Sequence, residues 1–170
     1  MTQALKKVMV LGAIGVGKTS LSNRLVSNKF ETNYKATIGV DLYTTDLLGD
    51  GHDHGDTRLV LWDTDGDFGM SIFSTIYMRG AAAAILVADA TRPSSIDKMR
   101  QLLIGFRESA PGRPCSVFIN KVDLLEAASR PDLMGTENEA DSVCWTSAKT
   151  GENVVESFHA LARAIERRGL

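Results

Sequence analysis

Cysteine is scarce in this sequence, and a net positive charge is absent. Two of the 170 residues are cysteines, Cys115 and Cys144, and both lie in apolar stretches. We interpret them as small buried apolar residues, which excludes a disulfide framework. The formal net charge is −2 at pH 7, so the chain lacks the basic field that holds nucleic acids or anionic membrane surfaces. We therefore expect no nucleic acid among its partners.

Long apolar runs are also missing. No window reaches the ~18 apolar residues that cross a bilayer, and residues 1–7 contain no cleavable apolar segment. Position 2 is not glycine, and the last four residues contain no cysteine to prenylate. These features predict a cytoplasmic protein with no intrinsic membrane anchor.

Apolar runs of strand length alternate with helical patterns, which predicts an α/β fold on a largely parallel sheet. A length of 170 residues suits one domain, residues 1–170. The strand-length runs are 8–11, 59–62, 83–88, 115–119 and 142–145. Apolar residues at helical spacing are Leu21 and Leu25, then Ile96, Met99, Leu103 and Phe106, and finally Val154, Phe158, Leu161 and Ile165.

A further strand over residues 40–48 precedes a glycine-rich turn at 49–55. Such a turn favours a hairpin, which predicts one antiparallel strand beside the parallel ones. His52, Asp53, His54 and Asp56 lie in or beside this turn. They could ligate a metal, but these residue types at a hairpin tip are typical of a solvated turn, which we favour.

A phosphate-binding motif follows the first strand and precedes the first helix. It matches G-x-x-x-x-G-K-[ST] over Gly12-Ala13-Ile14-Gly15-Val16-Gly17-Lys18-Thr19. Backbone N–H groups of such a loop surround phosphate oxygens, and the lysine adds a positive charge on them. The Thr19 hydroxyl is suited to Mg²⁺. We predict that the nucleotide phosphates are bound by Ala13, Ile14, Gly15, Val16, Gly17, Lys18, Thr19 and Ser20.

Two later motifs indicate that the base is guanine. Each follows a predicted strand, at the edge where nucleotides bind in parallel α/β sheets. Asp123 of Asn120-Lys121-Val122-Asp123 can accept two hydrogens from guanine, whereas adenine offers no matching pair of donors. The backbone N–H of Ala148 in Thr146-Ser147-Ala148-Lys149 can donate to the guanine carbonyl. The predicted base-binding residues are Asn120, Lys121, Asp123, Ser147, Ala148 and Lys149.

With these three motifs the chain resembles the Ras superfamily, and its Rab-like members most closely, over essentially its whole length. The stretch Thr37-Ile38-Gly39-Val40-Asp41 resembles the TIGVD of the Rab first switch, and Trp62-Asp63-Thr64-x-Gly66 resembles the WDTAG of the second. The resemblance implies a single small GTPase domain with the P-loop NTPase fold. That fold has a mostly parallel six-stranded sheet, one antiparallel edge strand, and helices on both faces.

The resemblance also implies roles for single residues. Phe30 would flank the guanine and Tyr34 would lie over the phosphates. Thr19, Thr37 and Asp63 would hold Mg²⁺, and the Gly66 N–H would sense the γ-phosphate. The expected ligands are GTP or GDP with Mg²⁺, and effectors and regulators would bind near residues 34–41 and 63–78. Hydrolysis would depend on Lys18, Thr37, Gly66 and Asp67.

Two residues depart from the family pattern. Asp67 lies where the family has the glutamine that orients the attacking water. A carboxylate only accepts hydrogen bonds, and it adds negative charge beside the γ-phosphate, so we expect slow intrinsic hydrolysis. Ile14 replaces a glycine or small polar residue, and its branched side chain could obstruct an arginine finger, which is worth on the order of 10³–10⁵ in rate.

The second switch is unusually apolar over residues 67–73. These side chains either pack against the protein's own sheet or form the effector surface. The alternating aspartates Asp63, Asp65 and Asp67 do not form a Ca²⁺ loop, because Phe68 and Ser74 lie where an EF-hand needs glycine and glutamate.

Three functions are compatible with the motifs. The first is a GTP-hydrolysing switch whose two loops order around Mg²⁺-GTP and relax after the γ-phosphate is lost. The alternative is a sensor that scarcely hydrolyses GTP and changes state by nucleotide exchange, which Asp67 and Ile14 favour. The third is a structural domain with a relic P-loop. It would require that none of the nucleotide motifs binds a nucleotide, and we disfavour it.

Overall fold

A computed structural model describes residues 5–49, 55–126 and 129–170. The predicted turn falls largely between the first two of these ranges, so His52, Asp53 and His54 lie outside the described residues. Within the described ranges, no helix combines the length and the apolar character that a membrane span requires.

Six strands form one mixed sheet in the order β2-β3-β1-β4-β5-β6. Strands β2 and β3 pair antiparallel, whereas all the other pairs are parallel. This confirms the predicted sheet with its antiparallel strand at one edge. The strands are Leu5–Gly12 (β1), Val40–Leu47 (β2), Thr57–Thr64 (β3), Ala83–Asp89 (β4), Cys115–Asn120 (β5) and Ser142–Trp145 (β6).

Helices cover both faces of the sheet, because the central strands are apolar on both sides. In β1, Val8 and Val10 enter one buried cluster with α1 and α4, while Met9 and Leu11 enter the other with α2. This alternation follows from the period of two in a strand. The helices are Lys18–Ser27 (α1), Pro93–Ser109 (α2), Thr136–Glu139 (α3) and Val154–Arg167 (α4). The short α3 has no signal in the apolar pattern.

The polar motifs all lie at one edge of this sheet. β1, β4, β5 and β6 run parallel, so their carboxyl ends meet there, and Gly12, Asp89, Asn120 and Trp145 end the four strands. β3 runs parallel to β1, so its carboxyl end lies at the same edge, and only the edge strand β2 runs the other way. The chain then continues into 3-10 segments at Gly66–Ser74 and Ile76–Met78. The motifs are thereby brought to a single crevice at the edge where parallel sheets bind ligands.

Candidate nucleotide-binding site

A cavity of about 900 Å³ opens at this edge of the sheet. Its size suits a nucleotide, since ligand pockets commonly enclose ~300–1,000 Å³. The P-loop, both switch segments and both base motifs contribute to its wall. The predicted residues that line it are Ile14, Gly15, Gly17, Lys18, Thr19, Ser20, Phe30, Tyr34, Thr37, Gly66, Asp67, Asn120, Lys121, Asp123, Ala148 and Lys149.

The P-loop ends where α1 begins, so the positive end of the helix dipole points into the cavity. Gly17 precedes the helix with φ of 102°, a left-handed conformation that glycine adopts at little cost. A Cβ at this position would also lie 2.2 Å from the Asn120 side-chain nitrogen. Gly17 therefore gives the loop its shape and leaves room for the base motif to pack behind it.

Lys18 is buried and donates to two carbonyl oxygens of its own loop. Its Nζ lies 2.9 Å from the Gly12 oxygen and 2.8 Å from the Ala13 oxygen. The pKa of Lys18 is lowered to about 8, mainly because the ammonium is buried; the carboxylates of Asp63 and Asp65 oppose this shift, and the positive charge of Arg92 adds to it. A phosphate beside this ammonium would oppose the effect of burial, because an anion favours the charged form.

Asn120 connects the base motifs to the P-loop. Its side-chain NH₂ donates to the Val16 oxygen at 3.0 Å, and its side-chain oxygen accepts from the Thr146 hydroxyl at 3.2 Å and the Ala148 N–H at 3.1 Å. The amide is almost completely buried, so each of these bonds would be costly to lose. The Ala148 N–H that we predicted to meet guanine is therefore engaged by Asn120 in this arrangement.

Asp123 is exposed at the cavity wall, and its carboxylate accepts a hydrogen bond of 2.6 Å from Ser147. The surrounding protein leaves this carboxylate exposed to solvent, so a bound base would have to displace the water from it. The neighbouring Lys121 donates to the Gly15 oxygen at 2.7 Å and forms an ion pair of 2.7 Å with Asp89. Burial raises the pKa of Asp89, but the hydrogen bonds from Lys121 and Thr91 outweigh it and hold that pKa below its ordinary value.

Three predicted Mg²⁺ ligands lie together at the phosphate end of the cavity. The Thr19 hydroxyl is 2.8 Å from the Thr37 hydroxyl and also donates to Asp63 Oδ2. The other oxygen of Asp63, Oδ1, is buried and has no hydrogen-bond partner among the described residues. Burial raises the pKa of Asp63 to about 6, because nothing in this environment fully compensates its charge.

The second switch starts in close contact with the P-loop. A Cβ on Gly66 would lie 2.4 Å from the Ile14 nitrogen, so the two backbones touch. Asp67 is exposed at the cavity wall, and its N–H donates to Asp65 Oδ1 at 2.9 Å. Ile14 also has an exposed side chain, so the obstruction of an arginine finger stays a prediction.

Most of the apolar second switch packs inward. Ile72 is buried, and Phe68 and Phe73 pack against the same apolar cluster as α2. A Cβ on Gly105 of α2 would lie 2.4 Å from the Phe73 ring, so the glycine leaves a notch that the ring fills. Met70 remains exposed. The structure thus supports internal packing for Ile72, Phe68 and Phe73, whereas Met70 is 43% exposed although its terminal methyl group also approaches Gly105.

Three predicted nucleotide-binding residues and one metal ligand do not line the cavity: Ala13, Val16, Ser147 and Asp63. Ala13 and Val16 pack against the apolar core, so only their backbones could serve a phosphate. Sequence reasoning also missed two arginines beside the site. Arg92 donates to the Ile14 oxygen, and Arg24 donates to the oxygens of Ala148 and Lys149. Arg92 lies three residues after the end of β4, at the same edge of the sheet as the motifs, and this position is the signal that could have identified it.

Comparison with known proteins agrees with this geometry. The sequence model of the Ras family matches residues 7–167. The chain is 33% identical to the Ypt/Rab-type GTPase Rab7 of Gibberella zeae, covering 95% of this chain and 82% of that protein. It is 35% identical to the Ras-related protein Rab7 of Pisum sativum, covering 98% and 85%. It is 34% identical to the Ypt/Rab-type GTPase YPT7 of Saccharomyces cerevisiae, covering 93% and 80%. The family match includes every cavity-lining residue named above.

Proposed function

This chain belongs to the Ras family, and on that premise we propose that its own GTP hydrolysis is slow because Asp67 replaces the family's glutamine. As a Rab-like member, the protein is a GTP-binding, GTP-hydrolysing molecular switch that works with effector and regulatory proteins. The observation behind slow turnover is the position of Asp67, an exposed carboxylate on the cavity wall directly after Gly66.

The chemistry of the carboxylate supports this proposal. A glutamine amide can accept a hydrogen from water and also donate toward a phosphoryl oxygen, whereas an ionised aspartate can only accept. Asp67 is also one methylene shorter, and its charge would repel the γ-phosphate. A second carboxylate, Asp65, accepts the Asp67 N–H and adds to the negative charge at this point. The missing hydrogen-bond donor and the added negative charge both raise the barrier to hydrolysis. Other residues bind the nucleotide.

Mg²⁺ fits the oxygen cluster of Thr19, Thr37 and Asp63. The two hydroxyls and the Asp63 carboxylate are the hard oxygen ligands that Mg²⁺ prefers. Asp63 Oδ1 is a buried oxygen without a described partner, and a cation beside it would supply the missing compensation. Bound Mg²⁺ would neutralise phosphate charge during hydrolysis. Thr37 would then tie the first switch to the P-loop.

The remaining residues bind and orient the nucleotide. We assign the guanine to Asp123 and to the loop of Ser147, Ala148 and Lys149. The phosphates are assigned to Lys18 and to the N–H groups at the start of α1, where the helix dipole favours anions. Because Lys18 already donates to two P-loop oxygens, phosphate binding requires its ammonium to share or exchange those partners.

We assign the partner surface to the two switch regions, residues 34–41 and 63–78. Ile38 is 89% exposed and lines the cavity directly after Thr37, and Ile76 is 68% exposed in the short 3-10 segment Ile76–Met78 that follows the second switch loop. Exposed apolar side chains of this kind mark protein-binding surfaces. A change at Thr37 or Gly66 would therefore alter the surface that a partner contacts.

The proposal is tested by single-turnover hydrolysis of GTP pre-loaded on the native protein and on D67Q. We expect native turnover near the intrinsic Ras value of ~10⁻⁴ s⁻¹ or below, and a gain of about tenfold or more for D67Q because the amide can orient water. Asp97 is an exposed carboxylate on α2, so D97N is the matched control and should hydrolyse GTP at the native rate.

Other outcomes have distinct meanings. Fast native hydrolysis would contradict the proposal directly. If GTP stays intact on the native protein for a day and D67Q still shows no gain, the exchange-driven sensor is favoured, and I14G with an activating protein then tests the obstruction by Ile14.

A further inference from the structure

Three consecutive carbonyl oxygens of the P-loop accept hydrogen bonds from side chains. The Ile14 oxygen accepts from the Arg92 guanidinium, the Gly15 oxygen from the Lys121 ammonium at 2.7 Å, and the Val16 oxygen from the Asn120 amide at 3.0 Å. The donors come from the loop after β4 and from the end of β5. The P-loop is therefore held by side chains that are distant in sequence.

This row of donors determines where the loop N–H groups point. In a planar trans peptide the C=O and the next N–H point in opposite directions. Donors that hold the oxygens of residues 14, 15 and 16 therefore turn the N–H groups of residues 15, 16 and 17 the opposite way. Gly15 and Gly17 line the cavity, so the row of donors favours N–H groups that face a bound phosphate.

Lys121 and Asn120 belong to the base motif, but Arg92 belongs to none of the recognised motifs. Its backbone is fixed by an N–H bond to Asp89 at 3.0 Å and by two bonds to its carbonyl from Ser95, at 2.9 Å from the N–H and 2.7 Å from the hydroxyl. Its side chain is half-buried against the loop, where a Cβ on Gly15 would lie 3.7 Å from it. The guanidinium is thus held at the P-loop by a well-bonded turn.

We propose that Arg92 is a positioning residue that orients the peptide between Ile14 and Gly15 for phosphate binding, and that it supplies part of the positive charge of the P-loop from within the chain. A hydrogen bond from a charged donor to the Ile14 oxygen also polarises that peptide, which strengthens the Gly15 N–H as a donor. This inference rests on the proposed nucleotide site.

Arginine suits this place better than lysine. Its guanidinium stays charged at any physiological pH and presents several donors in a fixed plane. Lysine would keep the charge but offers a single flexible donor group. The two residue types therefore separate the contribution of charge from the contribution of geometry.

The test compares dissociation rates of GDP and GTP, with Mg²⁺ present, for the native protein, R92A, R92K and R100A. We expect R92A to release both nucleotides about tenfold faster, the loss typical of one hydrogen bond from a charged group. R92K should recover part of this loss. R100A is the matched control, because Arg100 lies on α2, the helix that begins directly after Arg92, and bonds the Asp132 oxygen away from the cavity; it should release nucleotide at the native rate.

The Arg92 proposal is overturned if R92A releases nucleotide at the native rate, if R92K is no better than R92A, or if R100A shows the same loss. Thermal unfolding of R92A and R100A should be alike, so that a general weakening of α2 is recognised. Failure of the native protein to bind GDP at micromolar concentration would instead overturn the proposed nucleotide site itself.

Discussion

The base-binding loops and the first switch face the same cavity but are built in opposite ways. Asn120, Thr146 and Ala148 are buried, and Asn120 bonds the other two and the P-loop. Ser147 is also buried and bonds Asp123 and Thr150. Residues 26–36 are exposed throughout. At the end of that stretch, Thr37 reaches the P-loop through its hydroxyl bond to Thr19. The base side of the cavity is therefore held by buried hydrogen bonds, whereas the exposed stretch before Thr37 is tied to the P-loop through that one hydroxyl pair.

This difference indicates which part of the site can change its conformation. Segments with few buried apolar contacts and exposed backbones open at low free-energy cost, while hydrogen-bonded buried loops open only with much of the fold. A ligand that contacts both Thr37 and the P-loop can order the first switch. The base loops need no such rearrangement, so guanine binding can persist in both states of the cycle.

The second switch lies between these extremes. Ile72 and Phe73 pack against the core and α2, and Gly105 provides the notch that receives the Phe73 ring. Its first residues, Gly66 and Asp67, remain beside the cavity. This segment can therefore transmit a change at the γ-phosphate into a surface that is anchored by apolar packing, unlike the largely exposed first switch.

The largest expected effect comes from breaking the base side of the cavity with N120A. The change leaves the Val16 oxygen, the Thr146 hydroxyl and the Ala148 N–H without their partner, at ~1–3 kcal/mol for each buried group. We expect GDP to dissociate at least about 100-fold faster and the Tm to fall by several degrees, since ~1 kcal/mol shifts the Tm of a domain this size by ~2–4 °C.

D123A sharpens that prediction, because Asp123 is exposed. It should also weaken GDP binding but lower the Tm less than N120A does, because it removes one described hydrogen bond, from Ser147, rather than three. A native Tm for N120A, measured by calorimetry without added nucleotide, would show that Asn120 does not link the loops as described.

A smaller effect is expected from T37A on the switch side. The hydroxyl that bonds Thr19 is lost, and with it one ligand of the proposed Mg²⁺ site, so GTP hydrolysis should slow by about tenfold. GDP affinity should stay within about twofold of native, because the base loops are untouched. Single-turnover hydrolysis and GDP titration measure the two quantities. T32A, an exposed threonine in the same segment, should behave as native, and a large loss of GDP affinity in T37A would contradict the division of the site.

The smallest effect concerns cleavage of the native protein by trypsin. Lys29 and Lys35 lie in the exposed stretch 26–36, which leads into the first switch at Thr37, so we expect cleavage there first and a few-fold slowing when GTP and Mg²⁺ order the segment. Arg58 is the internal control, because it is also exposed but its backbone is paired within β3. Mass spectrometry of early fragments identifies the sites. Equal rates with and without nucleotide would show that the first switch does not order on binding.

Much of the fold could be predicted from local patterns. Apolar residues at helical spacing, such as Val154, Phe158, Leu161 and Ile165, are all buried in α4. The run that became β4 is buried on both faces, as expected for a central parallel strand. The motif residues were brought to one edge because each follows a strand, a consequence of connection order alone.

The roles of single atoms could not be predicted in the same way. Ala148 was expected to offer a free N–H, but Asn120, 28 residues away, already accepts from it. Arg92 carries no motif, yet it bonds Ile14 across 78 residues of chain. Arg24 bonds the Ala148 and Lys149 oxygens across 124 and 125 residues. None of these pairs leaves a periodic trace in the sequence.

Local patterns in the sequence were enough to predict the strands, the helices α1, α2 and α4, the antiparallel edge and the loops that form the candidate site, because periodicity and motif spacing are local properties of the chain. The folded structure was needed to identify the donors that hold the P-loop oxygens, the depth to which the second switch packs, and the Asp63 oxygen that has no partner among the described residues. Hydrogen-bond pairing and side-chain packing depend on distances between segments that are far apart in the chain, and those distances exist only once the sheet has formed.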